Sequence, residues 1–381
     1  MILSADKFGY YTVGDLKTYS KVEAIEWQQR TGHFPEWNFN KEIFDTVDWQ
    51  TEPAIELWDL YKARARQIRD AYDYVVLFYS GGSDSDNVLR SWIDADCKID
   101  EIACFWNLEA TKDPQSFMCA EIQNVVLPVV EKLKQTHEFE FRKIDVSQLT
   151  IDFLAKNKFD YSYYSNHSIS PNNIVKGMFR ETIPAYQQLI DSGKRVCFVW
   201  GFEKPQLGYD STGTYVQFAD TMDNCVGPYS QLNYAKGWHD ELFYWSPDLP
   251  EMIVKQAHVL KRFVDTCDIP EFYSTKSSPY GYNSRLKQFL THDAIKQVIY
   301  PRWDTSTFCN GKSPTGASNY LVYSPRDAWL WNSNLVERDT MHSIIAQTTN
   351  KVGEYWKTDN NSNSSSLYKG HIQKHYIRKI L

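Results

Sequence analysis

Short apolar runs alternate with longer amphipathic segments between residues 73 and 200. Runs of this length, rich in β-branched and aromatic residues, are typical of strands buried on both faces of a parallel sheet. Four strands are predicted, at residues 74–79, 102–106, 139–144 and 196–200. Helical spacing predicts helices that start at Asp84 and that span 115–135, with a kink at Pro128, and 173–191. The alternation predicts βαβ units and an α/β fold with a doubly wound, mostly parallel, Rossmann-like sheet.

The regions that flank this alternation have weaker patterns. Residues 1–72 predict a helical N-terminal arm, and after 225 the clearest element is a helix that starts within 246–250. No period is visible over 270–345, so an irregular, aromatic C-terminal extension is expected. We therefore divide the chain into an arm at 1–72, an α/β domain at 73–225, a substrate or partner region at 226–356, and a polar linker with a basic tail at 357–381.

Composition narrows the class of protein. The 381 residues exceed the length at which a single core stops growing, roughly 250–300 residues, so one large α/β domain with appendages, or two domains packed together, is expected. A hydrophobic fraction of 42% excludes wholesale disorder, and the net charge of −7 excludes an overall basic coat for nucleic acid. The basic tail, with Arg378 and Lys379, is expected to be a frayed or docked terminus, with a nucleic-acid or partner contact as the alternative.

The cysteine spacing and the search for targeting segments bear on the cellular compartment of the protein. The seven cysteines form no CxxC pair, which argues against a disulfide framework or a zinc site and favours reduced thiols. No secretory signal and no apolar run of membrane-spanning length is visible, so a cytoplasmic protein is expected. Cys104 and Cys197 fall inside predicted strands and are assigned to the core. The pattern leaves the oligomeric state open, and a homodimer is compatible with it.

The stretch that carries chemistry follows the first predicted strand and reads Ser80-Gly81-Gly82-Ser83-Asp84-Ser85. Two glycines allow a sharp turn and let main-chain N–H groups approach an anion without interference from a Cβ. The next helix points its N-terminus, with its partial positive charge, at the same place. The three serines add hydroxyl donors. The stretch therefore predicts a phosphate or pyrophosphate site at the carboxyl end of the strand.

Other phosphate and metal motifs fit less well. Gly311-Lys312-Ser313 lacks the first glycine of the NTPase loop, because Ser306 stands there, and GxGxxG is absent. A calcium loop starting at Asp84 fails because Val88 and Leu89 replace a ligand and the turn glycine. An Asp-x-Asp pair of the glycosyltransferase kind stays open at Asp84 and Asp86. The aromatic run 243–245 is compatible with a pocket wall, although core packing is the commoner use.

The strand–SGGSDS–helix unit resembles the PP-loop of the ATP pyrophosphatase superfamily, and the likeness covers residues 60–225. It implies that ATP and Mg²⁺ are bound, with a small molecule or a nucleotide as the acceptor substrate. The implied pyrophosphate cradle is the whole motif, Ser80, Gly81, Gly82, Ser83, Asp84 and Ser85. Asp84 is also the implied catalytic and metal-binding carboxylate. Asn107, just past the second strand, corresponds to the family's contact with adenine.

A second loop of the family resembles Trp200-Gly201-Phe202-Glu203-Lys204-Pro205, past the fourth strand. The resemblance implies that Gly201 contributes to the nucleotide site and that Lys204 is a catalytic residue that neutralises phosphate charge. Glu203 is implied to hold Mg²⁺ or a substrate amine, and a salt-bridged loop pair is the alternative for these two charges. Arg180 is a further phosphate candidate, with a surface arginine as its alternative.

The layout is most similar to the phosphoadenosine phosphosulfate reductase-like branch, including relatives encoded by tailed bacteriophages. The chain departs from the familiar activities, because it has no Glu-Cys-Gly-x-His context around its last cysteine, Cys309, and no N-terminal cysteine for a glutaminase. The resemblance therefore implies ATP-dependent adenylation with release of pyrophosphate, followed by transfer to a nitrogen or sulfur nucleophile. A sulfonucleotide reductase-like enzyme and a non-catalytic protein that binds or senses an adenine nucleotide are the alternatives.

Overall fold

The structure is a computed structural model that describes residues 5–112, 122–156, 179–201, 206–220, 236–266, 298–302, 329–358, 370–372 and 375–381. The N-terminal region contains helices, as the pattern predicts, together with a small antiparallel sheet of order β2-β1-β3 that the pattern does not predict. Its elements are β1 (Tyr10–Val13), β2 (Leu16–Thr18), α1 (Lys21–Thr31), β3 (Glu36–Asn38), α2 (Lys41–Phe44) and α3 (Leu57–Ala71). Strands of three or four residues are too short to show an alternating pattern.

The central α/β region alternates strands and helices. Its elements are β4 (Tyr74–Phe78), α4 (Ser83–Asp94), β5 (Glu101–Trp106), α5 (Leu108–Thr111), α6 (Leu127–Lys134), β6 (Glu140–Asp145), α7 (Val146–Ala155), α8 (Pro184–Asp191) and β7 (Val196–Trp200). All four predicted strands are confirmed to within one residue at each end. The helix expected over 115–135 is a π-helical turn at Ile122–Val126 followed by α6, with Pro128 in the first turn of α6, and residues 115–121 lie outside the described ranges. The helix expected over 173–191 is a 3₁₀ turn at Phe179–Thr182 followed by α8, and residues 173–178 lie outside the described ranges.

Two further strands lead into the C-terminal part of the chain. The elements are β8 (Gln206–Asp210), β9 (Gly213–Ala219), β10 (Trp238–Leu242), α9 (Pro250–Thr266), α10 (Val336–Val352), β11 (Trp356–Thr358), β12 (Gly370–Ile372) and β13 (Tyr376–Ile380). Strand β13 pairs antiparallel with β9, and Lys379 forms an ion pair with Asp45. The basic tail is therefore a docked strand over its described residues. Among the described helices, none is both long and apolar enough to cross a membrane.

The main sheet has five parallel strands in the order β10-β7-β4-β5-β6. The first strand of this sheet along the chain, β4, lies in the middle. The chain adds β5 and β6 on one side and then crosses to add β7 and β10 on the other. The direction of winding reverses between β4 and β7, and this reversal is the topological switch point beside which ligands bind in open α/β sheets. The fold is Rossmann-like α/β.

The fifth strand, β10, was not predicted from the sequence. It contains two adjacent acidic residues, Asp240 and Glu241, which interrupt its apolar run although both are buried. Each carboxylate is neutralised by cations from distant parts of the chain: Arg180 pairs with Asp240, and Lys7 and Arg64 pair with Glu241. The sheet can bury these charges because each is paired and hydrogen-bonded.

Aromatic side chains fill the core beside the carboxyl ends of the central strands. Phe78 of β4 stacks on Trp200 of β7, with ring centroids 4.1 Å apart, and on Phe105 of β5 at 4.8 Å. Phe179 meets all three rings edge-on. This packing holds the ends of β4, β5 and β7, and with them the loops that follow, in a fixed relation.

Candidate functional site

The glycine-rich loop connects β4 to α4 beside the switch point. Gly81 has a φ of +76°, a conformation that favours glycine. Gly82 is the N-cap residue of α4 and has extended backbone angles, φ −84° and ψ 158°. A glycine cap offers no side-chain acceptor, so the N–H groups of residues 83–85 are not capped by residue 82. The start of α4 therefore has the geometry and the dipole direction of an anion site.

Two serine side chains brace the loop from within. The Ser85 hydroxyl accepts from the Ser80 main-chain N–H at 3.2 Å and donates to the Gly82 carbonyl at 2.9 Å. The Ser80 hydroxyl oxygen accepts from the Gly82 N–H at 3.3 Å and lies 3.1 Å from the Ser85 hydroxyl. These bonds fix the shape of the turn and engage the Ser80 and Gly82 amides. Ser83 and Ser85 are buried and Ser80 is exposed. The sequence predicted the three serines as hydroxyl donors to an anion, whereas the hydroxyls of Ser80 and Ser85 stabilise the loop itself.

The loop after β7 meets this turn at Gly201. A Cβ added to Gly201 would lie 2.9 Å from Cα of Ser85 and 3.1 Å from the carbonyl oxygen of Asp84. Among the residues predicted in the loop after β7, Gly201 therefore lies against the glycine-rich turn at residues 80–85. Glu203 and Lys204 lie outside the described residues, and their roles stay predictions.

Asp84 is held at two points by tyrosines. The hydroxyl of Tyr244 donates to the Asp84 carbonyl at 2.8 Å and accepts from the Asn87 side-chain amide at 3.0 Å. The hydroxyl of Tyr300 donates to Oδ1 of the Asp84 side chain. Burial and the charge of Asp84 raise the pKa of both tyrosines well above the usual value, so both are neutral donors.

These tyrosines were not identified as site residues from the sequence. The run 243–245 is buried, which confirms core packing as its use, but Tyr244 also holds the first turn of α4. Tyr300 falls in the stretch without a period. Its position beside Asp84 is a tertiary contact across 216 residues, for which the sequence pattern has no signal.

Asn107 lies just past β5 and is buried. Its side-chain oxygen accepts from the Ser147 hydroxyl, and the same Ser147 oxygen accepts from the Glu109 N–H at 3.1 Å. These bonds tie the end of β5 to the start of α7. The contact with adenine that the resemblance implies stays a prediction.

Arg180 lies in a buried ion pair rather than on the surface. Its guanidinium, with no exposed side-chain area, binds Asp240, which also accepts from the Trp200 indole N–H at 2.7 Å. The guanidinium carbon lies 4.5 Å from the ring centroid of Phe198. Burial lowers the pKa of Arg180. This setting gives Arg180 a role in supporting β7 and β10, and nothing in it favours the predicted phosphate contact.

Metal-binding and nucleophilic groups are sparse. In the part of the chain that the structure describes, no group of three or more His, Cys, Asp or Glu side chains is placed to hold a metal ion. Mg²⁺ is often held by one or two carboxylates together with substrate phosphates, so the role of Asp84 as a metal ligand stays a prediction. Cys104 and Cys197 are buried, as predicted, and burial raises the pKa of Cys197 and of the half-buried Cys97. The thiols of Cys97 and Cys197 are therefore poor nucleophiles, because a raised pKa lowers the thiolate fraction, and Cys104 is buried in the core.

Comparison with known proteins does not assign the chain to a family. No protein-family model matches the chain, and no curated protein is significantly similar to it.

Proposed function

We propose that the chain binds MgATP beside the switch point and catalyses adenylation of a small-molecule or nucleotide substrate. One observation carries the proposal. The glycine-rich turn at residues 80–85 lies at the carboxyl end of the central strand, opens onto the start of α4, and packs against Gly201 of the neighbouring strand's loop. A triphosphate is the ligand that suits main-chain donors and a helix dipole at this edge of a doubly wound sheet.

In the proposed reaction a substrate oxygen attacks the α-phosphorus of ATP. The bond from that phosphorus to the bridging oxygen of the β-phosphate breaks, and pyrophosphate leaves with the bonding electrons. A nitrogen or sulfur nucleophile then displaces AMP from the adenylated substrate. The protein's part is to position the reactants and to stabilise charge on the departing pyrophosphate, for which fixed main-chain donors are suited.

The described residues divide this work between them. The first turn of α4 and the bend at Gly81 hold the pyrophosphate, and Ser80 and Ser85 keep the bend in shape. Asp84 would hold Mg²⁺ together with phosphate oxygens, and the ion would neutralise charge on the triphosphate. Lys204 is proposed to add a positive charge at the same phosphates.

A second candidate function is adenine-nucleotide binding without turnover. The observation that favours it is that the Asp84 carboxylate and the Ser80 and Gly82 amides already have partners within the protein. A sulfonucleotide reductase needs a reactive thiol; among the described cysteines, Cys104 and Cys197 are buried, and burial raises the pKa of Cys97 and Cys197.

Phosphorus NMR of the protein with MgATP and a pool of cell metabolites tests the proposal. Adenylation predicts AMP and pyrophosphate in equal amounts, lost in Asp84→Ala and retained in Asp191→Ala, which removes an exposed carboxylate from the end of α8. Release of ADP and inorganic phosphate would contradict adenylation. Tight ATP binding without turnover would favour the second candidate, and consumption of an adenylyl sulfate without ATP would favour a sulfonucleotide reaction.

A further inference from the structure

The segment at residues 298–302 packs against the phosphate-loop helix and is itself held in place. Ile299 and Tyr300 are almost completely buried, with exposures of 0% and 1%. The Tyr61 hydroxyl, from α3, donates to the Ile299 carbonyl at 2.9 Å, and Gln256 of α9 donates to that hydroxyl at 3.2 Å. Two helices therefore fix the main chain from which Tyr300 projects.

The contact between Tyr300 and Asp84 has a defined direction. In this hydrogen bond the hydroxyl of Tyr300 donates and Oδ1 of Asp84 accepts. Its ring lies 6.0 Å from that of Tyr244, which holds the main chain of Asp84. The backbone and the carboxylate of Asp84 are thus fixed by separate tyrosines, and the carboxylate's orientation depends on Tyr300.

We propose that Tyr300 is a positioning residue that fixes the Asp84 carboxylate for the Mg²⁺ of bound MgATP. The inference rests on the function proposed above. Without the hydroxyl, the carboxylate loses this hydrogen bond, and holding it in the same orientation when the ion binds costs more free energy. Removing a hydrogen-bond partner of a metal ligand typically costs 10–100-fold in metal affinity or activity.

The test uses the full chain and a ligand that cannot react. Calorimetry measures the dissociation constant of α,β-methylene-ATP over a range of Mg²⁺ concentrations. Tyr300→Phe keeps the buried ring and removes only the hydroxyl. The half-saturating Mg²⁺ concentration is expected to rise by about tenfold, at the lower end of the usual range, while affinity measured without Mg²⁺ stays unchanged. A purely structural role would lower both affinities together.

Tyr186→Phe is the matched control. Tyr186 is also fully buried, and its hydroxyl donates to a buried carboxylate, that of Glu101, at 2.5 Å. Glu101 is the first residue of β5, so it lies at the amino ends of the parallel strands, whereas the proposed site lies at their carboxyl ends. This variant is expected to keep the wild-type Mg²⁺ dependence. In an Asp84→Asn background, Tyr300→Phe is expected to add no further change, because the two effects share one carboxylate.

The results distinguish failure of the positioning role of Tyr300 from failure of the proposed function. If the wild type binds nucleotide with a Mg²⁺ dependence that Tyr300→Phe leaves unchanged, the positioning role is wrong and the proposed function stands. If the wild type takes up no nucleotide at millimolar concentration, both are overturned. Should circular dichroism show Tyr300→Phe unfolded, Tyr61→Phe, which releases the Ile299 carbonyl, is expected to raise the Mg²⁺ requirement in the same direction, and no change would overturn the inference.

Discussion

Gly201, at the end of β7, lies against the main chain of Ser85 in the first turn of α4. A Cβ at position 201 would come within 2.9 Å of Cα of Ser85 and 3.1 Å of its main-chain nitrogen. The nearby atoms belong to backbone, which cannot move aside as the end of a flexible side chain does. Gly201 and the first turn of α4 are therefore in close contact, and a substitution at Gly201 is expected to alter the proposed phosphate site.

Gly201→Ala is predicted to impair nucleotide binding through this contact. The start of α4 must shift, so we expect a loss of stability of about 1–3 kcal/mol and a fall in nucleotide affinity of about tenfold or more. Urea denaturation and calorimetry with MgATP measure the two effects. Gly193→Ala is the control, because Gly193 has a φ of +81° and open space around it. It is expected to lose stability with no change in affinity, and equal affinities for both variants would contradict the role of the contact.

Ser85→Ala is predicted to weaken nucleotide binding more than it weakens folding. It removes the hydroxyl that links the Ser80 N–H to the Gly82 carbonyl, so the bend loses its brace. We expect stability to fall by about 1 kcal/mol and nucleotide affinity by about tenfold. Ser91→Ala is the matched control, since this buried serine of the same helix donates to the Asn87 carbonyl. A similar fall in nucleotide affinity in both variants would argue against a role for the brace.

The parts of the fold that were predictable are those whose signal is local. Strands β4 and β7 are continuous apolar runs, and such a run predicts a buried strand wherever it lies in the sheet. Strand β10 is equally buried but contains Asp240 and Glu241, whose charges are neutralised by Arg180, Lys7 and Arg64. Because these cations come from distant segments, no local pattern indicates the strand.

The candidate site likewise contains residues that a local sequence pattern predicts and residues that only tertiary contacts bring to it. Residues 80–85 are contiguous, and their order alone indicates an anion-binding turn. Tyr244 and Tyr300 reach Asp84 across 160 and 216 residues, and nothing around either tyrosine in the sequence distinguishes it from a core aromatic. Arg180 shows the converse, because a cation close to a predicted site in the sequence is buried in an ion pair.

Asp240→Asn is predicted to be strongly destabilising because it leaves the Arg180 charge buried without its counter-ion. Breaking a buried pair in this way costs about 3–5 kcal/mol, whereas replacing both partners by apolar residues of similar size is often neutral. The double variant Arg180→Met/Asp240→Leu is therefore expected to recover much of the loss, as measured by chemical denaturation. If the double variant is no more stable than Asp240→Asn, the buried charge is not the cause of the loss.

Glu241 links the N-terminal region to the sheet through a fully paired buried carboxylate. It accepts from Lys7 and Arg64, each at 2.6 Å, and from the Tyr72 hydroxyl at 2.7 Å. Burial alone would raise its pKa, but the two cations outweigh it and lower the pKa of Glu241 to about 2. Because the folded-state pKa is below the ordinary value of 4.5, the contribution to stability is complete above that value and is lost as the pH falls towards 2.

Glu241→Gln is therefore predicted to destabilise the protein most at neutral pH. The shift in pKa corresponds to about 3 kcal/mol, of which about 2 kcal/mol is lost by pH 3, so urea denaturation should show the gap between wild type and variant narrowing by about 2 kcal/mol from pH 7 to pH 3. Lys261→Gln, which removes an exposed i,i+4 pair with Asp265 on α9, is the control and is expected to cost less than about 0.5 kcal/mol at both pH values. If the difference in free energy of unfolding between wild type and Glu241→Gln stays constant between pH 7 and pH 3, the pKa of Glu241 is not lowered by Lys7 and Arg64 as described.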